Sequence, residues 1–229
     1  KNGKLKLRDG KEVGIIRVHM EEDPASLVHP AGMKESAYVL VDYNRSGTPL
    51  VEIVTEPELE SADEAREFMK QLISILSYLE VFDLNEGIIK ADANISVKES
   101  GYTRAEIKNI TGFKEIERAL LYEINRQKNE IKDYKKIEQE TRAWDSEKGI
   151  TFSLRKKETE EDYGYIIDTD LTAIEITGKW LNEIKKEMPE LAHDKVKKFV
   201  GIGVKKEDAE ILAAEKELAE MFEKVAEEI

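Results

Sequence analysis

Cysteine is absent from all 229 residues. Its absence excludes disulfides, thiolate nucleophiles, Cys-ligated zinc and iron–sulfur clusters from this stretch of chain, and leaves a reducing, cytoplasmic setting as the expectation. Proline (5) and glycine (13) are sparse, too few for a low-complexity linker or a fibrous repeat. With only 3 histidines, a Ser-His-Asp triad would have to recruit His19, His29 or His193, and no Gly-x-Ser-x-Gly elbow supports one; His29 and His193 read more simply as surface residues. Neither a Walker A loop nor a Gly-x-Gly-x-x-Gly cradle occurs, so any phosphate binding must rely on side chains. No run approaches the roughly 18 apolar residues of a membrane span, and no apolar stretch of a signal peptide follows Lys1 to Lys4.

Basic residues are in the minority, 36 Lys+Arg against 49 Asp+Glu, for a net charge of −13. Such a balance disfavours broad, non-specific contact with nucleic-acid phosphates, so any RNA contact must be local or lie outside this chain. Hydrophobic residues make up 40% and charged residues 37%, enough apolar material for a buried core in a globular protein. The length suits one large domain, or a sizeable domain plus a small one. A first residue that is Lys rather than Met reads as the start of a fragment, and the Lys/Glu richness is of the kind found in heat-adapted proteins.

Period-two alternation or β-branched content predicts strands over Val13–Met20, Leu50–Thr55, Ile88–Val97, Thr103–Ile110, Glu138–Trp144 and Ile150–Arg155. The short connections at residues 98–102 and 145–149 predict two antiparallel hairpins. Ser61-Ala-Asp-Glu64 is a capping box opening a helix whose apolar stripe is Ala65, Phe68, Met69, Leu72, Ile73, Leu76 and Leu79. A second helix is predicted from about Gly112 to Asp133, with Ile116, Leu120, Ile124, Gln127 and Ile131 on one face. The expected architecture is α+β: an antiparallel sheet cradle over 1–175 with both helices on one face and the other face open. A small all-helical domain follows over 176–229, with Trp180, Leu181 and Ile184 in one helix, Val196, Phe199 and Val200 in the next, and Ala209 to Val225 along the last.

Alternation places Lys90, Asp92, Asn94 and Ser96 together on the open face, opposite Ile89, Ala91, Ala93, Ile95 and Val97. Arg104, Glu106 and Lys108 share a face of the next strand, Arg17, His19 and Glu21 share one of the first, and Glu140 and Arg142 one of another. A wet sheet face laced with cross-strand ion pairs would read this way. A site where hard oxygen ligands hold Mg²⁺ and cations hold phosphate would read the same way. Glu52, set among Leu50, Val51, Ile53 and Val54, favours the second, because a carboxylate in an apolar strand needs a compensating cation or donor. Tyr163 and Tyr165 could stack on a base or simply anchor a loop.

The longer strings carry a resemblance. Val41-Asp-Tyr-Asn-Arg-Ser-Gly-Thr-Pro-Leu-Val-Glu-Ile-Val-Thr-Glu-Pro57, preceded by Arg17-Val-His-Met-Glu-Glu-Asp23, resembles the B-subunit (GatB) family of tRNA-dependent amidotransferases. Lys90 to Ser96, Glu106-Ile-Lys-Asn109, Glu117 to Gln127, Gln139-Glu-Thr-Arg142 and Asp162-Tyr-Gly-Tyr165 follow in that family's order. The resemblance therefore covers most of the first 175 residues, and more loosely the helical remainder around Gly203 and Glu207–Leu212.

What the resemblance implies is a kinase step coupled to amidation. ATP phosphorylates the side-chain carboxylate of Glu on tRNA(Gln), or of Asp on tRNA(Asn), and ammonia from a glutaminase (A) subunit then displaces phosphate, with a small C subunit completing the assembly. Carried onto this chain, it implies Glu21, Glu22 and Asp92 as metal ligands, with Glu52 and His19 behind them. Arg45, Lys108 and Arg142 become phosphate partners, and Asn94 a nucleotide-site residue. ATP and Mg²⁺ are the implied cofactors, with no membrane partner. Family members carry an earlier segment with further metal ligands and commonly a Cys-based zinc site, and a later tail domain that grips tRNA. A chain lacking these is expected to bind nucleotide weakly at best and not to transamidate alone. The related E subunit specific for Glu-tRNA(Gln), a non-catalytic scaffold docking glutaminase and tRNA, and an unrelated carboxylate-amine ligase are the alternatives; the Asp42-Tyr-Asn-Arg-Ser-Gly47 string points to the B type.

Overall fold

The computed structural model describes residues 3–31, 36–82, 87–155 and 169–227. The chain divides into two compact units, Lys1–Glu60 and Ser61–Ile229.

In the first unit, β1 (Gly3–Lys6), β2 (Glu12–Glu22) and β5 (Pro49–Thr55) form an antiparallel sheet in the order β1-β2-β5, while β3 (Ser26–Val28) and β4 (Leu40–Asp42) pair separately. β2 and β5 are the strands expected from alternation. β1, β3 and β4 escape a reading of the sequence, since segments of three or four residues are too short for a period to show. Leu5 faces Val13 across β1 and β2, and both are buried. Gly14 is required by close approach: its amide donates to Glu58 Oε2 (2.7 Å), and a Cβ there would lie 2.8 Å from Glu56 Cγ.

The second unit opens with α1 (Ala62–Tyr78), whose N-cap is Ser61; the Ser61 hydroxyl accepts from the Glu64 amide at 3.1 Å, as the capping box predicts. β6 (Lys90–Ile95) and β7 (Ala105–Thr111) form the first expected hairpin, joined through a 3₁₀ turn at Lys98–Ser100. The chain then runs through α2 (Phe113–Lys132) to β8 (Glu140–Asp145) and β9 (Ile150–Arg155), the second expected hairpin. The sheet order is β6-β7-β8-β9. The α+β class holds, with one addition: β7 and β8 are parallel. The physical reason is the intervening 20-residue helix, which returns the chain to the same end of the sheet before β8 starts.

Helix α2 packs against β6, β7 and β9, and α1 packs against α2. The layer between sheet and helix is filled by Ala105, Ile107, Ile110, Ile116, Ala119 and Leu120. Trp144 on β8 donates its indole N–H to Glu115 Oε2 at 2.8 Å, and Arg118 lies over its ring at 5.7 Å, so the first turns of α2 are tied to β8.

Among the described residues, four helices complete the unit: α3 (Gly178–Glu187), α4 (Ala192–Gly201), α5 (Lys206–Leu212) and α6 (Lys216–Ala226). The single last helix expected over Ala209–Val225 is therefore two. The break follows from what α1 brings. Tyr78 Oη donates to the Ala213 carbonyl at 3.0 Å, taking the acceptor that a continuing helix would use. Phe222 on α6 then meets Phe199 on α4 edge-on, with ring centroids 4.7 Å apart. Tyr78, Phe199, Ala209, Ala213 and Ala219 form one buried cluster, so α1 is part of the core of this helical region. Among the described residues, no helix is long and apolar enough to cross a membrane.

Burial, reinforced by the charges of Glu223 and Glu220, pushes the Tyr78 hydroxyl up to about 12. Because that value is raised, its stabilising effect is whole below the ordinary tyrosine range and is lost as pH climbs through about 12. Tyr78→Phe should cost about 1–2 kcal/mol in urea unfolding at neutral pH, since the Ala213 carbonyl loses its donor. The part of the alkaline decline that belongs to Tyr78 should vanish from the variant.

Candidate functional site

The open face of the four-stranded sheet is built by strand register. Asn94 faces Glu106, Glu106 faces Thr141, and Lys108 faces Ala143. Along β6, Lys90, Asp92 and Asn94 are exposed while Ala91, Ala93 and Ile95 are partly covered, the alternation read from sequence. Lys108 Nζ sits 3.0 Å from Asp92 Oδ2 and 3.3 Å from Glu106 Oε1, and Thr141 Oγ1 donates to the other Glu106 oxygen at 3.4 Å. Burial works against the charge on Lys108, but its hydrogen bond and attraction to Asp92, with Glu106 behind, outweigh that cost and raise its pKa. Lys108 is thus a firmly protonated ammonium between two carboxylates, with the Asp92 carboxylate still about half exposed.

Arg142 does not join this row. It is opposite Ile107, on the face covered by α2, and only 8% exposed. Its Nε donates to Thr151 Oγ1 (2.9 Å), Nη1 to Glu140 (2.6 Å) and Nη2 to the Thr151 carbonyl (2.9 Å). The expectation of an exposed phosphate partner here fails on geometry: Glu140 and Arg142 do share a face, but it is the inner one. The centre of that inner cluster is Glu123 of α2, fully buried. Its carboxylate accepts from Arg126 Nε (2.9 Å), Gln127 Nε2 (2.9 Å) and Thr151 Oγ1 (2.8 Å), with Arg142 Nε at 3.3 Å. Burial opposes ionisation of Glu123, yet these donors, Arg126 first, hold its pKa below the usual carboxylate value. Sequence reasoning misses Glu123. A signal exists: it falls between Leu120 and Gln127 on the buried stripe of α2, where a charge demands partners.

In the first unit, register puts Arg17, His19, Glu21 and Glu52 on one face of β2 and β5, with His19 directly opposite Glu52. Glu52 is compensated as its apolar neighbours demand, by Arg17 Nη2 at 3.0 Å. Glu21 and Glu22 cannot serve the same face, because successive strand residues point to opposite sides. Glu21 belongs with His19 and Glu52, whereas Glu22 lies across from Pro49 near the Gly47 turn. Arg45 is anchored by Asp23 at 2.7 Å, with backbone bonds from Asp23 N to Thr48 O and from Gly47 N to Asp23 O holding the same turn.

Carboxylate, amide and imidazole donors of this kind suit a hard divalent cation. Among the described residues, however, no three His, Asp or Glu side chains converge closely enough to hold one. The oxygen and imidazole groups nearest to one another are Asp92 and Asn94 on β6 in the second unit, and Glu21, Glu52 and His19 on one face of β2 and β5 in the first. His193 is exposed beside Asp194, and His29 is half-buried. Asp162 to Tyr165 lie outside the described residues.

Residues 1–182 match the family described as the GatB/GatE catalytic domain. The chain is 50% identical over 228 residues to the B subunit of the aspartyl/glutamyl-tRNA(Asn/Gln) amidotransferase of Saccharolobus solfataricus, covering 98% of this chain and 48% of that protein. The corresponding B subunits of Methanosarcina barkeri and Carboxydothermus hydrogenoformans are 48% and 42% identical, over 98% and 99% of this chain and 46% and 49% of theirs. The chain spans about half the length of the curated relatives it matches.

Removing the Glu123 charge while leaving its shape tests the inner cluster. Glu123→Gln should cost about 3–5 kcal/mol in urea unfolding, because Arg126 and Arg142 lose the charge between them. Since the folded pKa is lowered, the contribution of Glu123 is complete above the ordinary carboxylate range and lost as pH falls through the depressed value. The variant should therefore show a flatter acid limb below about pH 4 than the wild type.

Proposed function

The chain belongs to the GatB/GatE catalytic-domain family, and on that premise we propose that it is the chemical cradle of a B-type tRNA-dependent amidotransferase. The reaction converts the side-chain carboxylate of Glu on tRNA(Gln), or Asp on tRNA(Asn), to its amide. A carboxylate oxygen attacks the γ-phosphorus of ATP and ADP leaves. Ammonia then adds to the resulting acyl phosphate and inorganic phosphate departs with the C–O electron pair. The carrying observation is the Asp92, Lys108 and Glu106 row on the open sheet face, a protonated amine held between partly exposed carboxylates.

Lys108 would bind a phosphoryl oxygen, exchanging one of its two carboxylate partners for the incoming anion. Asp92 and Asn94 would supply oxygen ligands to Mg²⁺, which when bound offsets the negative charge of the phosphates. In the first unit Glu21, Glu52 and His19 form a second donor set, and Arg45, fixed by Asp23, presents the rest of its guanidinium to an anion. Glu22, on the reverse of the strand, takes a supporting part. Arg142 acts as a positioning residue, locking β8 and β9 to α2 beneath the row. The glutaminase (A) and small C subunits, the mischarged tRNA, the cytoplasmic setting and a helical domain beginning near residue 176 complete this reading. Asp42 to Gly47 favours the B type over the E type.

A nucleotide analogue with Mg²⁺ tests it directly. At tenfold its Kd a ligand stabilises by about 1.4 kcal/mol, a rise of roughly 3–6 °C for a domain of this size. A non-hydrolysable ATP analogue with Mg²⁺ should raise the Tm of the chain by that amount at millimolar concentration, and Asp92→Asn and Lys108→Met should each abolish the rise. No shift in the wild-type chain would favour the docking-scaffold reading.

A further inference from the structure

We propose that Asn109 is a positioning residue. Its left-handed backbone inserts the one extra residue into β7 that aims Lys108 at Asp92 while Ile107 and Ile110 both stay in the core. The functional consequence rests on the phosphoryl-transfer reading above; the geometric claim does not.

Three observations carry it. Ala93 faces Ile107 but Ala91 faces Ile110, so two residues of β7, Lys108 and Asn109, stand opposite the single Asp92. Asn109 has φ = 65°, in the region L side chains rarely occupy and Asn tolerates better than most. Ile107 and Ile110 are each 0% exposed, although strict alternation over a three-residue step would send them to opposite faces. The bulge resolves that conflict. Without it, burying Ile110 would turn Lys108 away from Asp92, or keeping Lys108 in place would push Ile110 into water.

The other non-glycine residues with positive φ do something simpler. Glu80 and Tyr134 follow the ends of α1 and α2, and Tyr102 lies in the connection between β6 and β7, where the chain reverses. Among the described residues, Asn109 is the one that bears this conformational cost inside a strand, next to the ion pair at the centre of the candidate site.

The experiment compares Asn109→Gly, Asn109→Ala and Asn109→Val. Gly keeps the backbone conformation and removes the side chain, whereas Val disfavours the conformation. The first readout is the rate at which Lys108 is acetylated by an N-hydroxysuccinimide ester, measured by peptide mass spectrometry against other lysines of the same sample; it needs neither metal nor nucleotide. Asn109→Val should raise Lys108 labelling roughly fivefold as the ion pairs to Asp92 and Glu106 open. Asn109→Ala should fall between, and Asn109→Gly should match the wild type. The second readout is the Tm rise with Mg²⁺ and ATP analogue, expected to survive in the Gly variant and to be lost in Val. Should Val fail to fold, the Ala and Gly pair decides. Equal labelling in all four proteins, or a Gly variant that behaves like Val, overturns the proposal. A wild type that shows no Tm rise counts against the phosphoryl-transfer reading, and labelling still decides the role of Asn109.

Discussion

A single buried carboxylate sets the terms for the second unit. Glu123 is wholly out of water, and an isolated charge there would cost several kcal/mol. It is tolerated because α2, β8 and β9 each send a donor to it: Arg126 and Gln127 from the helix, Arg142 from β8 and Thr151 from β9. Arg142 adds a bond to the Thr151 carbonyl, and Arg126 reaches Glu140 at 3.4 Å. Such a cluster is satisfied in one arrangement of three elements and poorly satisfied in any other. Sliding β8 by one residue would place Thr141 or Ala143 where Arg142 stands and take from Glu123 the one cation that β8 supplies. The register of the parallel pair is therefore fixed from the covered side, where hydrophobic contacts alone would permit more slack.

That register is what assembles the open face. With Ile107 locked opposite Arg142, Glu106 must face Thr141 and Lys108 must face Ala143. Thr141 then steadies Glu106, and Glu106 and Asp92 hold Lys108. The two faces of the sheet thus divide the labour. The inner one has charges that are satisfied and shut away from solvent. The outer one has charges that are satisfied by each other and remain partly accessible, so exchanging a partner there costs less desolvation than on the inner face. A chain of net charge −13 repels phosphates in general, so under the proposed reading an anion would need a local cation such as Lys108.

Much of this is legible in the amino-acid order, and the parts that are not have physical causes. Both hairpins, the Ser61 cap and the alternation of β6 depend on neighbours within a few residues, and the structure contains them all. The parallel β7–β8 pair depends on where α2 lands, which no local period encodes. Glu140 and Arg142 alternate like a wet face and so suggest an outward Arg142; only Glu123, far away in sequence, reveals that the face is inner. The break between α5 and α6 is likewise set from outside, by a hydroxyl on α1 that removes the Ala213 carbonyl from the helix. Glu21 and Glu22 are adjacent in β2, and alternation alone is enough to show that their side chains leave the strand on opposite faces.

The same long-range logic explains why the helical region is not an appendage. Its core contains Tyr78, the last residue of α1, and Lys216 of α6 reaches back to Glu80 just beyond it. Helix α1 in turn packs on α2, whose inner face carries Glu123. A displacement of the helices α4 to α6 therefore meets α1 first, then α2, and then the cluster that holds β8 against β7. The helical region is thus joined through α1 to the helix layer that covers the inner face of the sheet.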